Sequence, residues 1–370
     1  MRSPMDEQTF LGFYKTTVLG YSKSVQRYYC NLLERSGKIT FDMQLPLLST
    51  DTKLFTDKKD LETVISATAM NEHFSGFYEK REFEKLYKYS IPFFIDGNDI
   101  DKVVSSLNQV CGGEFCEDNF KPKLILNTSL RESVPTYVKD NDKIFIKFVL
   151  QKSYVTPDVY ESINYRFPIV IYIDFDCQVL EIRYDSTKYN EISGRDTYDK
   201  YVSECLEWIK KTLPLELYDC DGRDAVNVVK KIPNKTVVVF RQMMEMESGG
   251  SAELTASEGE DYVLPFIGEI HGLIEENEEL FNASHDIKAL LLQYLSDKEE
   301  SARYPYIYVK WVKPVESHSY IVKITFNYFS DRYTVLQHIT GSCNDFGMER
   351  MNHAIEYLCK NNALVKGKKI

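Results

Sequence analysis

Phe167-Pro-Ile-Val-Ile-Tyr-Ile-Asp-Phe-Asp-Cys-Gln-Val-Leu-Glu-Ile-Arg-Tyr184 is the stretch that decides how this chain folds. Two β-rich runs, Phe167 to Ile173 and Gln178 to Tyr184, flank a short polar turn, which predicts a β-hairpin. Upstream, Lys143 to Leu150 is another β-rich run, and the strand signal begins near Lys123. Downstream, the spacing predicts a helix over about Thr197 to Thr212, then a further helix and a strand at Lys235 to Phe240.

Toward the N-terminus the pattern is helical. Tyr21, Val25, Tyr28, Tyr29, Leu32 and Leu33 recur at helical spacing and stop before Gly37. Asp60 to Ala69, Phe77 to Tyr89 and Asp99 to Val110 read the same way, the last ending at Gly112-Gly113. Toward the C-terminus, Glu245 to Asp261 is Ser-, Gly- and Glu-rich and reads as a mobile loop. Asp261 suits an N-cap and Pro265 the first helical turn. A helical hairpin over 263–296 is expected next, then strands near 305–313, 319–328 and 332–339 and a last helix from about Asp345 to Lys360.

The fold class expected is therefore α+β. A helical domain at 1–120 precedes an α/β module at 121–244 that holds the hairpin 167–184. An acidic loop at 245–262 leads to a second module at 263–370. The helices Glu204-Cys-Leu-Glu-Trp-Ile-Lys210 and His353-Ala-Ile-Glu-Tyr-Leu-Cys-Lys360 echo one another. That echo suggests an internal duplication, two strand-strand-helix modules forming one sheet backed by helices.

The 370 residues allow two or three domains, and 43% hydrophobic residues exclude wholesale disorder. Apolar runs fall far short of the roughly 20 residues of a membrane-spanning helix. No charged-then-apolar leader opens the chain, so a cytoplasmic location is expected. The eight cysteines then read as mostly buried reduced thiols. The net charge of -11 is unevenly spread: residues 241–300 carry -12, and residues 301–370 carry +5. The whole-chain charge is thus a poor guide to partners.

Three groups of residues carry chemistry. Asp174 and Asp176 at the hairpin tip, with Glu181, form the best carboxylate cluster; alternate residues on a strand would let the aspartates share Mg²⁺ or Mn²⁺ for phosphodiester cleavage. The competing explanation is that aspartates favour tight turns, where their side chains accept from nearby amides. Tyr304, Tyr306, Tyr308 and Lys310 fall on one face of a strand, opposite Ile307, Val309 and Trp311, and Lys313 and Lys323 add charge nearby. Such a row suits stacking of single-stranded nucleic acid, although tyrosine is also a favoured strand residue. Glu275, Glu276, Glu278 and Glu279 suit a docking surface for a basic partner, or an ordinary solvated helix face.

Cys111 and Cys116, four residues apart, lack a second ligand pair nearby and read as thiols beside a glycine turn rather than a zinc site. The six histidines show no ligand spacing. Phosphate-loop, dinucleotide-binding, nucleophile-elbow and kinase signatures are all missing. The leading expectation is a non-catalytic recognition or adaptor protein, or a sensor, that works through contacts with a protein partner or with its own copies and needs no cofactor. The Lys-, Asn-, Ile- and Tyr-rich wording suits a setting in bacterial–phage conflict. A single-stranded nucleic-acid-binding protein comes second. A metal-dependent nuclease or phosphodiesterase at Asp174, Asp176 and Glu181 comes third.

Overall fold

The computed structural model describes residues 4–42, 52–97, 99–155, 160–187, 195–222, 225, 228–229, 236–245, 251–255, 267–301, 303–315, 318–326, 333–339 and 347–370. It is a mixed α+β protein. Its contacts group into two units, one made of residues 1–218, 342–352 and 369–370 and the other of residues 219–341 and 353–368.

The first unit is organised by alternation along two long strands, β5 (Lys143–Val155) and β6 (Ser162–Asp174). They pair antiparallel from Lys143 opposite Asp174 to Val155 opposite Ser162. With β3 (Tyr89–Asp96), β4 (Thr136–Asp140) and β7 (Val179–Tyr184) they make an antiparallel sheet of order β3-β7-β6-β5-β4. The hairpin read from the sequence is β6–β7, with Gln178 at φ 52° in its turn.

Side chains alternate across this sheet. Ile144, Ile146, Phe148 and Leu150 share one apolar face with Phe167, Ile169, Ile171 and Ile173. Helix α6 (Arg195–Thr212) packs there, setting Trp208 edge-on to Phe148 and Tyr201 against Phe167. The opposite face carries Lys143, Lys147, Arg166, Asp174, Glu181 and Arg183. It is met by α1 (Glu7–Leu19) and α4 (Ser75–Glu84): Arg166 N–H donates to Thr17 Oγ1, and Lys147 lies 4.3 Å from the Phe83 ring centre.

The N-terminal helices surround one apolar cluster, with Phe10, Tyr14, Leu33, Ile65 and Tyr78 among its buried members. Helices α2 (Lys23–Arg35), α3 (Leu61–Ala69) and α5 (Ile100–Cys111) begin at Ser22, Asp60 and Asp99, each of which accepts an N–H from the first turn. A two-stranded parallel pair, β1 (Ile39–Thr40) and β2 (Lys53–Leu54), lies between α2 and α3. The expected helix over Phe77 to Tyr89 stops at Glu84, and Tyr89 instead opens β3. Pro92 is incompatible with a helix interior, and β3 joins the sheet rather than a separate helical layer.

Strand β8 (Glu216–Asp221) follows α6. In the second unit, β9 (Val237–Glu245), β10 (Ser251–Thr255), β11 (Tyr306–Val315), β12 (His318–Thr325) and β13 (Val335–Ile339) form an antiparallel sheet of order β10-β9-β11-β12-β13. The sequence read 245–262 as a loop, yet Ser251–Thr255 pairs with Arg241–Glu245, so backbone pairing overrides a turn-like composition. The rest of that segment, with the Asp261 cap and Pro265, lies outside the described residues.

Here too the faces differ. Ile307, Val309, Trp311, Val322, Ile324 and Leu336 are buried. Trp311 stacks on Tyr320, and Tyr357 and His353, from the helix Glu349–Lys360, pack against these rings. The other face is half-exposed along β11, β12 and β13. The segment 267–301 forms the helices Ile267–Glu276, Glu278–Asn282 and His285–Ser301.

Candidate functional site

The carboxylates at the hairpin tip have separate fates. Asp174 is fully buried: its Oδ1 accepts the Cys177 N–H at 3.0 Å, and its Oδ2 accepts the Tyr172 hydroxyl at 2.9 Å. Lys143 lies 3.6 Å from that same Oδ2. Asp176 is exposed in the turn, so the pair do not share a face as strand alternation would have them do. The chain leaves the strand at Asp174, and the period of two ends with it. Glu181 is buried and paired with Arg183, whose Nε donates to it at 3.0 Å and whose Nη1 donates to Asn352 at 2.8 Å. The Arg183 guanidinium sits 3.9 Å from the Tyr172 ring centre. Asp174 thus acts as a turn cap and Glu181 as a buried counter-ion. Among the described residues no three His, Cys, Asp or Glu side chains are arranged to hold a metal.

The sequence did not single out the most heavily charged buried cluster. Glu79 and Glu82, one turn apart on α4, meet Lys147 of β5 and Arg166 of β6. Lys147 Nζ lies 2.7 Å from Glu79 Oε1 and 3.0 Å from Glu82 Oε2, and Arg166 Nη2 lies 2.7 Å from Glu79 Oε2. Tyr14 donates to Glu79 at 2.7 Å. Burial alone would push the Glu79 carboxyl up, but Lys147 and Arg166 beside it hold it well below the usual carboxylate range. Burial pushes the Tyr14 hydroxyl up, so it remains a proton donor. The available signal was a charge inside an apolar strand: Lys147 among Ile144, Ile146 and Phe148, and Arg166 between Tyr165 and Phe167. Beside Glu79, Lys147 and Arg166 lies a pocket of about 280 Å³, lined among others by Phe10, Phe120 and Thr136. Cys111, buried at the end of α5, and the exposed Cys116 also border it.

The second unit holds both surface candidates. Tyr306, Tyr308 and Lys310 do share the half-exposed face of β11, opposite the buried Ile307, Val309 and Trp311. Lys323 of β12 pairs across from Tyr308 and holds its ammonium 3.8 Å from the Tyr306 ring centre. Tyr304 does not belong to the row: it precedes the strand and is only 8% exposed. The side chain of Lys313 lies outside the described residues. A cation the sequence reading missed, Arg241 of β9, pairs across from Tyr308 with its guanidinium 5.3 Å from that ring.

Glu275, Glu276, Glu278 and Glu279 are exposed where the first two helices of the 267–301 segment meet. Ile274 and Leu295 are buried and anchor the segment. Around them Leu273, Leu280, Ile287, Leu290 and Tyr294 are 53%, 72%, 55%, 69% and 52% exposed. Leu273, Leu280, Ile287 and Tyr294 recur at seven-residue intervals. No helix among the described residues is long and apolar enough to cross a membrane. No model of a known protein family matches the chain, and no curated protein matches it in sequence.

Proposed function

We propose that this is a recognition protein that works through protein contacts, and that the helices of residues 267–301 are its docking element. The observation that carries the reading is the exposure of Leu273, Leu280, Ile287, Leu290 and Tyr294 within one short helical segment. Single exposed leucines are ordinary, but five large apolar side chains exposed within one segment of charged helices are a feature of interaction sites. The flanking charge is acidic: the exposed Glu275, Glu276, Glu278, Glu279, Asp286 and Asp297 outweigh Lys288. Two such surfaces would repel one another, so the chemistry favours a basic amphipathic helix from a different protein over a second copy of this chain.

The test is fluorescence anisotropy with a labelled helical peptide carrying leucines at helical spacing and flanking lysines. Binding should fall when Leu280 and Leu290 are both changed to Ser. It should weaken with added salt and with Glu275→Lys, Glu276→Lys, Glu278→Lys and Glu279→Lys combined. These positions are exposed, so circular dichroism should report an intact fold. Absence of binding, or binding that the Leu280 and Leu290 changes leave untouched, would sink the reading.

A further inference from the structure

We propose that the half-exposed face of β9, β11 and β12 binds single-stranded nucleic acid, and that Glu253 of β10 occupies a phosphate position in the free protein. The face is built by register. Arg241 and Lys323 pair across from Tyr308 on its two sides, and Lys310 lies one alternate position along β11. Tyr306 and Tyr308 meet edge to face, with ring centres 5.9 Å apart. Lys323 holds its ammonium 3.8 Å from the Tyr306 ring centre, and Tyr306 itself is half-exposed. Each cation therefore stands beside an aromatic ring. Single-stranded nucleic acid presents the matching pair, a flat base and a phosphate, repeated along the chain.

Glu253 is the discordant residue. Its carboxylate lies 3.5 Å from Arg241 Nη1 and accepts the Tyr306 hydroxyl at 3.1 Å. It pairs with the guanidinium and accepts from the hydroxyl, the two groups that would serve a phosphate oxygen. Arg241 Nε is buried and has no hydrogen-bond acceptor among the described residues, so pairing with Glu253 does not satisfy the whole guanidinium. An acidic peptide would engage the cations alone and leave the rings without a flat partner, so the tyrosines favour nucleic acid. The inference is independent of the helical docking element.

Fluorescence anisotropy of the full chain at low salt tests it, with labelled oligothymidylate of about 20 nucleotides, a duplex of equal length and a polyglutamate competitor. The single strand should bind most tightly, and polyglutamate should compete poorly. Tyr308→Ala should weaken binding roughly five- to a hundredfold, while Tyr308→Phe, which keeps the ring, should bind as the parent does. Arg241→Gln and Lys323→Gln should each weaken binding and flatten its salt dependence. Glu253→Gln should tighten it. The proposal is overturned if neither the parent nor Glu253→Gln binds the single strand. Equal binding of the duplex, or equal competition by polyglutamate, would also overturn it, the latter assigning the face to an acidic peptide.

Discussion

Arg166 and Glu82 meet edge to edge: the guanidinium Nε donates to Oε1 at 2.6 Å, and Nη2 donates to Oε2 at 2.7 Å. Both side chains are almost wholly buried between α4 and the sheet. The two-pronged geometry fixes the angle at which α4 lies across β5 and β6, because a planar fork tolerates little rotation. Lys147 and Glu79 complete the cluster and leave it neutral. A compact neutral cluster can be buried where an isolated charge cannot.

Removing one member should therefore cost much more than a surface ion pair. Arg166→Met is expected to lower the unfolding free energy by about 3–5 kcal/mol, because Glu82 is left buried beside a single remaining cation. Arg131→Met, which breaks the exposed pair with Glu207, should cost no more than about 1 kcal/mol. Urea titration of both variants checks the contrast, and equal losses would show that burial does not set the value of these pairs.

Acid should unfold the protein through the same cluster. The Glu79 carboxyl is held below its ordinary value of 4.5 in the folded chain, against the upward push of burial, chiefly by Lys147 and Arg166. Its contribution is thus fully present above that value and is lost as pH falls below it toward the folded one. The urea midpoint, followed from about pH 6 to about pH 3, should drop in the acidic part of that range. Glu79→Gln should start from a lower midpoint and show a shallower drop. A parallel pair of curves would assign the acid sensitivity to other carboxylates.

Two helical glycines should respond oppositely to alanine. At Gly76 in α4 an added Cβ would collide with the backbone carbonyl of Glu117, which cannot swing aside. Gly76→Ala is expected to cost about 1–3 kcal/mol. At Gly12 in α1 nothing lies within 4 Å of the added carbon, so Gly12→Ala should raise stability by about 0.5–1 kcal/mol through helix propensity. Thermal melts of the two variants should shift in opposite directions.

Thiol labelling should be selective. Cys116 is exposed, whereas Cys30, Cys111, Cys205 and Cys220 are buried. Burial pushes the Cys30 and Cys111 thiols up to about 11, and the Cys205 thiol higher still. A maleimide at neutral pH should modify Cys116 before the buried set, which it should reach only when urea opens the fold. Mass spectrometry of tryptic peptides would read this directly, and early labelling of Cys205 would contradict the packing of α6.

Elements whose signal is local were legible in the sequence. The Phe167–Tyr184 hairpin, the caps Asp60 and Asp99, and the alternation of Tyr306, Tyr308 and Lys310 against Ile307, Val309 and Trp311 all follow from spacing along one strand or helix. The acidic character of 267–301 was also legible, because composition survives folding. The exposure of Leu280 and Leu290 was not, since helical spacing is the same for a core stripe and an unpartnered one.

What tertiary structure alone decided is which distant residues meet. Glu79 and Arg166 are 87 positions apart, and only the crossing of α4 over β6 brings them together. Strand pairing carried Arg241 to the far side of Tyr308 from Lys323, although it lies more than sixty residues away in sequence. The fate of Asp174 and Asp176 turned on where β6 ends: one residue before the turn is buried and capping, two residues later is in water. A one-dimensional pattern reports period and propensity. Burial and partnership depend on the third dimension, where a side chain's neighbours come from other elements and decide whether its charge is solvated, paired or displaced.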